Sequence, residues 1–235
     1  LKKMFEADPE LQVVGLAKNG QEAVQLAHSL KPNMITMDVR MPIMDGFKAT
    51  AAIMSECPCS ILVISSSVND EDLNIAFNAI QYGALDIIEK PSSETDFGHL
   101  GNKIIQKIKL LSDIKHFHRI NKATATVPMP SPTKKIAIPI KNYPSVIGIA
   151  SSTGGPQVLY TIFRALPAHY PIPILVTQHI AHGFLKGLVH WLKQYTELEV
   201  CIAQEKVIPK PGTVYFASED AHLELDPLSR LKYNF

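Results

Sequence analysis

Little in this chain points toward a membrane, a nucleic acid or an oxidising compartment. Its three cysteines, Cys57, Cys59 and Cys201, are odd in number and form no disulfide framework, so a reducing cytoplasm is the simplest compartment. No apolar run is long enough to span a bilayer, which excludes membrane insertion, and no secretory signal stands at the start. The formal net charge is only +1, so neither a basic patch for nucleic acid nor an acidic tail is present. Aromatic residues make up 7% of the chain, with one tryptophan, Trp191, which reads with Leu188 and Leu192 as helix core. What remains, 46% hydrophobic and 19% charged residues over 235 positions, suits a soluble protein of two ordinary domains. The chain opens in Leu1-Lys2-Lys3-Met4-Phe5, which reads as the last turns of a helix, and stops at Tyr233-Asn234-Phe235, within a strand; a fragment at both ends is expected.

Residues 1–112 alternate strand and helix. Strands are expected at Leu11–Ala17, Asn33–Met37, Ser60–Ile64 and Leu85–Ile88. Helices are expected at Gly20–Leu30, Gly46–Glu56, Asp70–Tyr82 and Thr95–Leu111, with the apolar residues of Asp70–Tyr82 falling on one face. Repeated βα units imply a flavodoxin-like, doubly wound parallel sheet. From 113 to 144 the pattern breaks: Pro128, Pro130, Pro132, Pro139 and Pro144 lie among Thr, Ala, Ser and Lys, the composition of an extended linker. A second doubly wound α/β domain fills 145–235. Its expected strands are Ser145–Ala150, Pro173–Val176, Glu199–Ala203 and Thr213–Ala217, and its helices Val158–Leu166 and Leu185–Tyr195. Both domains are expected to be incomplete.

In an open parallel sheet the polar residues that end the strands share one crevice. In the first domain these are Asp38, Ser65 and Lys90. A carboxylate, a hydroxyl and an ammonium suit a phosphoryl group, as acceptor, hydrogen-bond donor and counter-charge; the competing reading is three unrelated polar strand ends. The run Met37-Asp38-Val39-Arg40-Met41-Pro42-Ile43-Met44-Asp45-Gly46 resembles the phosphoacceptor loop of two-component receiver domains, and Glu89-Lys90-Pro91-Ser92 resembles their Lys-Pro turn. That resemblance implies that Asp38 is phosphorylated, Ser65 is the switch hydroxyl and Lys90 contacts the phosphate. It further implies Mg²⁺ for phosphorylation, held by an acidic pair after a first strand that this chain lacks. Where receivers often carry an aromatic residue, three positions before the lysine, this chain has Ile87.

In the second domain, Gly148-Ile149-Ala150-Ser151-Ser152-Thr153-Gly154-Gly155-Pro156 and Val176-Thr177-Gln178-His179 each end an apolar strand. A serine and a histidine at neighbouring strand ends can meet as nucleophile and base. Glycines behind the serine let backbone amides approach a ligand at a helix N-terminus that favours negative charge. Together these suggest acyl transfer; the competing reading of the Gly-rich turn alone is a phosphate-cradling loop. With Gly183-Phe184, the run Pro211–Ala217 and His222, the domain resembles the catalytic domain of the CheB family of chemotaxis methylesterases. The resemblance implies a serine hydrolase: Ser152 as nucleophile, His179 as general base, the Thr153 amide as oxyanion donor, and Gln178, Gly154 and Gly155 lining the pocket. It implies no cofactor for the esterase. Its substrates would be γ-glutamyl methyl esters on chemoreceptor cytoplasmic helices, with glutamine deamidation by the same route, and its phosphodonor a chemotaxis histidine kinase.

The family's triad Asp lies in an Asn-Asp-Gly turn further on, so this chain as it stands is expected to be inactive. Neither Asp220 nor Asp226 has that context. The rival reading is a non-catalytic phospho-responsive module that holds an anion. No metal site is expected: His179 and His182 lack a third ligand, and His182 reads as a rim substitution where the family often has proline. His116 and His118 read as solvated, His222 as either structural or pocket-lining, and Cys57-Pro58-Cys59 as partly buried rather than redox-active.

Overall fold

The computed structural model describes residues 1–65, 70–91, 94–112 and 145–234. The linker expected over 113–144 lies outside them, as do His116 and His118. The first unit runs α1 (Lys2–Glu6), α2 (Gly20–Leu30), β1 (Met34–Asp38), α3 (Gly46–Glu56), β2 (Ser60–Ser65), α4 (Asp70–Gln81), β3 (Asp86–Glu89) and α5 (Glu94–Ser112). The strands form a parallel sheet in the order β1-β2-β3, with Asp38 opposite Ile64 and Ser65 opposite Glu89.

Parallel sheets are apolar on both faces because helices cover both. β2 obeys this: Ile61 and Val63 enter one core with α2, α3 and α4, while Leu62 and Ile64 enter a second with α1 and α5. Local chemistry sets the helix starts. Asn19 and Asp45 cap α2 and α3, accepting from the Glu22 and Lys48 amides at 2.8 Å each. Cys59 belongs to the core, and burial pushes its thiol up to about 12, which makes it inert.

One expected strand is not there. Leu11–Ala17 carries no ladder, and Val14 and Leu16 are exposed. A strand exists only where a neighbour accepts its hydrogen bonds, and among the described residues none lies beside this segment.

The second unit runs β4 (Ile147–Ser151), α6 (Gly155–Ala165), β5 (Ile174–Gln178), α7 (Leu185–Lys193), β6 (Glu199–Ile202), β7 (Thr213–Phe216), β8 (His222–Leu225) and β9 (Leu231–Asn234). A parallel sheet in the order β4-β5-β7-β6 carries α6 and α7 on one face. The antiparallel β8–β9 hairpin, of which the sequence suggested only the closing strand around Tyr233, covers the other: Leu223, Leu231 and Tyr233 pack on Leu175, Cys201 and Tyr215, which lie in register across β5, β6 and β7. Asp226 closes the hairpin by accepting from the Leu228 and Arg230 amides, and these bonds, chiefly Arg230's, hold its carboxyl below the usual range.

The two units share a core. α4 lies against α6 and α7, and Phe77 stacks on Trp191 with ring centroids 5.7 Å apart. Tyr160 lies on Trp191 at 5.3 Å, and both Phe77 and Trp191 are fully buried. Hydrogen bonds frame the contact: Gln81 Nε2 donates to Tyr160 Oη at 3.1 Å, and Tyr195 Oη to Asn78 Oδ1 at 3.2 Å. Trp191 is thus core, as its helical spacing suggests, but part of that core belongs to the other unit. Because Trp191 is the chain's one tryptophan, fluorescence reports this contact directly. Phe77→Ala is expected to shift its emission to longer wavelength and to cost about 3–5 kcal/mol in denaturant unfolding. An unshifted spectrum with unchanged stability would show that the two units do not pack this way in solution.

Candidate active and phosphoacceptor sites

The first sheet brings its three polar strand ends to one edge. Lys90 Nζ pairs with Asp38 Oδ2 at 2.5 Å, and both side chains are about one-third exposed, at 36% and 35%. The Lys90 amide donates to the Ser65 carbonyl at 2.7 Å, so Ser65 ends β2 beside the lysine, with its own side chain buried. The loop after Asp38 is folded tightly: the Gly46 amide returns to the Val39 carbonyl at 3.0 Å, and a Cβ at Gly46 would overlap the Asp38 carbonyl oxygen. Ile87, where receivers often carry an aromatic ring, is buried in the core. The Mg²⁺ implied by the receiver resemblance requires several oxygen ligands. Among the described residues no cluster of three or more His, Cys, Asp or Glu side chains forms, so the residues present do not make up that site.

The second sheet builds the other site at its own carboxyl edge. β4 and β5 are parallel neighbours with Ser151 opposite Gln178, and the ladder closes with the His179 amide donating to the Ser151 carbonyl at 2.8 Å. One residue beyond, Ser152 Oγ lies 3.2 Å from His179 Nδ1. For Nδ1 to accept that proton, the imidazole must carry its own on Nε2. Among the described residues no carboxylate pairs with His179: Asp220 is exposed beside His182, and Asp226 closes the hairpin turn.

The serine turn runs straight into α6. The helix opens at the glycines behind the serine, starting at Gly155, because Gly154 takes the left-handed conformation (φ 76°) at the N-cap and Pro156 fits the first turn. Among the described residues the Thr153 and Gly154 amides have no protein partner, whereas the Gly155 amide donates to the Ser152 carbonyl at 2.8 Å. Two open amides at the positive end of a helix suit a developing oxyanion.

Gln178 does not present a free amide to this pocket. Its Nε2 donates to the carbonyls of Ser152 and His179 at 2.8 and 2.9 Å, and its Oε1 accepts from Ser151 Oγ at 2.6 Å. His182 stands at the rim with a 78%-exposed side chain, 3.6 Å from Glu219 and 3.7 Å from Asp220, and His222 is exposed on β8.

Glu219 went unnoticed in the sequence. Its carboxylate accepts from the Gly183 amide at 2.9 and 3.0 Å and from the Leu185 amide at 3.0 Å. It thereby caps α7 and ties down the loop that follows His179. The available signal was its place just beyond β7, on the same carboxyl edge as Ser152 and His179. Glu219→Ala is expected to cost about 1–2 kcal/mol in denaturant unfolding, the range of a lost N-terminal cap, with Glu219→Gln losing less. Equal stability of all three proteins would refute the capping role.

The CheB methylesterase family matches residues 147–234, and the response regulator receiver domain family matches residues 1–100. Protein-glutamate methylesterase/protein-glutamine glutaminase 4 of Myxococcus xanthus is 40% identical over 225 residues, covering 95% of this chain and 63% of that protein. Protein-glutamate methylesterase/protein-glutamine glutaminase 2 of Methanospirillum hungatei is 35% identical over 237 residues, covering 100% of this chain and 67% of its own. The crystal structure of the response regulator domain of Thermotoga maritima CheB aligns with 49% of this chain and 87% of its own at 35% identity, with a TM-score of 0.44. The chain thus spans about two thirds of the length of the curated relatives it matches.

Proposed function

This chain belongs to the CheB methylesterase family with its response regulator receiver domain, and on that premise we propose that it works as a phosphorylation-controlled protein-glutamate methylesterase of chemotaxis. Its substrates are γ-glutamyl methyl esters on chemoreceptor cytoplasmic helices, and its phosphodonor is a chemotaxis histidine kinase in the cytoplasm. Among the described residues no helix is long and apolar enough to cross a membrane.

The observation that carries the reading is the 3.2 Å contact of Ser152 Oγ with His179 Nδ1 on neighbouring strand ends. In the proposed route Ser152 Oγ attacks the ester carbonyl carbon and its proton passes to His179 Nδ1. The Thr153 and Gly154 amides hold the oxyanion; one such donor is worth ~3–4 kcal/mol in well-studied enzymes. The C–O bond then breaks, His179 returns the proton, and methanol leaves. Water, deprotonated by His179, attacks the acyl-serine and releases glutamate. A glutamine side chain follows the same path with ammonia leaving, in keeping with the glutaminase activity named for the relatives.

Control enters through Asp38. Phosphorylation there replaces its ion pair with Lys90, next to the Ser65 end of β2 from which the chain proceeds to α4. α4 is the helix docked on α6 and α7, so the proposal is that the unphosphorylated receiver holds the esterase down and the phosphorylated one releases it.

Methanol release from a methyl-esterified chemoreceptor fragment tests the chemistry in the full-length protein. Ser152→Ala and His179→Ala are each expected to cut turnover by ~10⁴-fold or more, with the double variant little worse, because nucleophile and base act as a unit. Full activity of either variant would refute the assignment. No methanol from the wild type would favour the rival, a non-catalytic phospho-responsive module. For the receiver, a small-molecule phosphoryl donor is expected to label Asp38 and raise turnover, and Asp38→Asn to abolish both; labelling that survives the substitution would move the phosphoacceptor elsewhere.

A further inference from the structure

We infer that Gln178, its amide oriented by Ser151, is a brace that holds the serine and histidine turns in register, and so acts on the reaction as a positioning residue; the inference rests on the esterase reading above. The ladder between β4 and β5 ends at the His179 amide and the Ser151 carbonyl. Past that rung both strands turn away, yet Ser152 Oγ and His179 Nδ1 must stay within a proton's reach of each other. The Gln178 side chain supplies the connection that the backbone no longer makes. It leaves the sheet on the same face as Ser151, its ladder partner, as facing residues of parallel neighbours do. Its two N–H groups go to the carbonyls of the two reactive residues themselves, Ser152 at 2.8 Å and His179 at 2.9 Å.

Ser151 fixes which way round the amide sits. Its hydroxyl donates to Gln178 Oε1 at 2.6 Å, leaving Nε2 toward the two carbonyls. A flipped amide would set Oε1 against both carbonyl oxygens, a repulsive arrangement with neither N–H satisfied there. With both donors committed, Gln178 cannot also hold a substrate carbonyl without breaking the brace. Gly155 belongs to the same unit. It is a helical residue outside the positive-φ set, so backbone conformation does not demand glycine. A Cβ there would overlap Gln178 Oε1 and come within 3.0 Å of Ser151 Cβ, so the missing side chain is the space the amide occupies.

The test separates positioning from substrate contact and from folding. In the full-length protein, Gln178→Ala is expected to lower kcat for methanol release from a methyl-esterified chemoreceptor fragment by ~10–100-fold, the scale of a misplaced reacting group, with KM little changed. Gly155→Ala is expected to do the same by displacing the amide, and Gly155→Ala/Gln178→Ala to be no worse than the poorer single variant, since both remove one brace. Ser151→Ala is expected to lose less, and Ser151→Thr to restore the hydroxyl and most of the rate. Independently of activity, hydrogen exchange at the Gly155 and His179 amides is expected to speed up by about 10-fold in Gln178→Ala, while global unfolding shifts little. An unchanged kcat, a rise confined to KM, additive losses in the double variant, or unaltered exchange would each overturn the brace. A wild type that releases no methanol would defeat the esterase reading instead, and the exchange measurement would still decide whether Gln178 holds the turns.

Discussion

The hydrogen bond from the His179 amide to the Ser151 carbonyl, 2.8 Å long, is the last rung of the β4–β5 ladder, and the geometry beyond it depends on that rung. Parallel pairing fixes register where each face is shaped to its own core, because a slip of one residue would carry every side chain to the opposite face and exchange the two cores. Here Val176 lies in one core and Leu175 in the other, so β5 cannot slip. The rung therefore places residues 152 and 179 side by side without any contribution from their own side chains. Holding the reactive atoms 3.2 Å apart beyond that rung is the work proposed for the Gln178 amide. The first sheet follows the same logic, with β1, β2 and β3 delivering Asp38, Ser65 and Lys90 to one edge.

Under the proposed control, the contact of α4 with α6 and α7 joins the two units among the described residues, and it combines an apolar centre with a polar border. Its centre is apolar and stacked, Phe77 on Trp191, but its border consists of single hydrogen bonds between neutral side chains. Trp191 Nε1 is buried with no partner among the described residues. An orphaned buried donor costs roughly 1–3 kcal/mol relative to a hydrated one, which offsets part of what the stacked rings contribute.

Much of this was legible in the sequence, and the failures share a cause. The strand ends Asp38, Ser65, Lys90, Ser152 and His179 could be read because buried parallel strands are continuous apolar runs and their polar terminators stand out. Leu11–Ala17 misled because its apolar residues suit a strand, whereas strand identity depends on a neighbour. The β8–β9 hairpin went unread although Leu223 and Leu225 alternate with polar residues; each arm is only four residues long, and its value lies in covering Leu175, Cys201 and Tyr215, which the chain supplies elsewhere. Helical spacing marked Trp191 as buried but could not say that Phe77 buries it. Glu219 and the bridging of Gln178 were invisible for the same reason: each depends on amides and carbonyls converging from separate turns.

The arrangement of the helices adds a constraint that neither site imposes alone. α6 starts in the serine turn, and α7 starts just past the histidine turn, where Glu219 holds the Gly183 amide of the loop and the Leu185 amide that opens the helix. α4 touches these same two helices further along, at Tyr160 on α6 and at Trp191 on α7, and it also touches Tyr195 just past the end of α7. At 1.5 Å per residue, Tyr160 lies only about 8 Å along α6 from Gly155, and Trp191 about 9 Å along α7 from Leu185. Packed helices move as rigid bodies over such distances, since close-packed cores resist continuous deformation. Any shift of α4 large enough to unstack Phe77 from Trp191 therefore bears on the helices that start at the two turns. The bonds that must absorb it are the ones that tie those turns together: the final ladder rung, the Glu219 cap and the Gln178 amide.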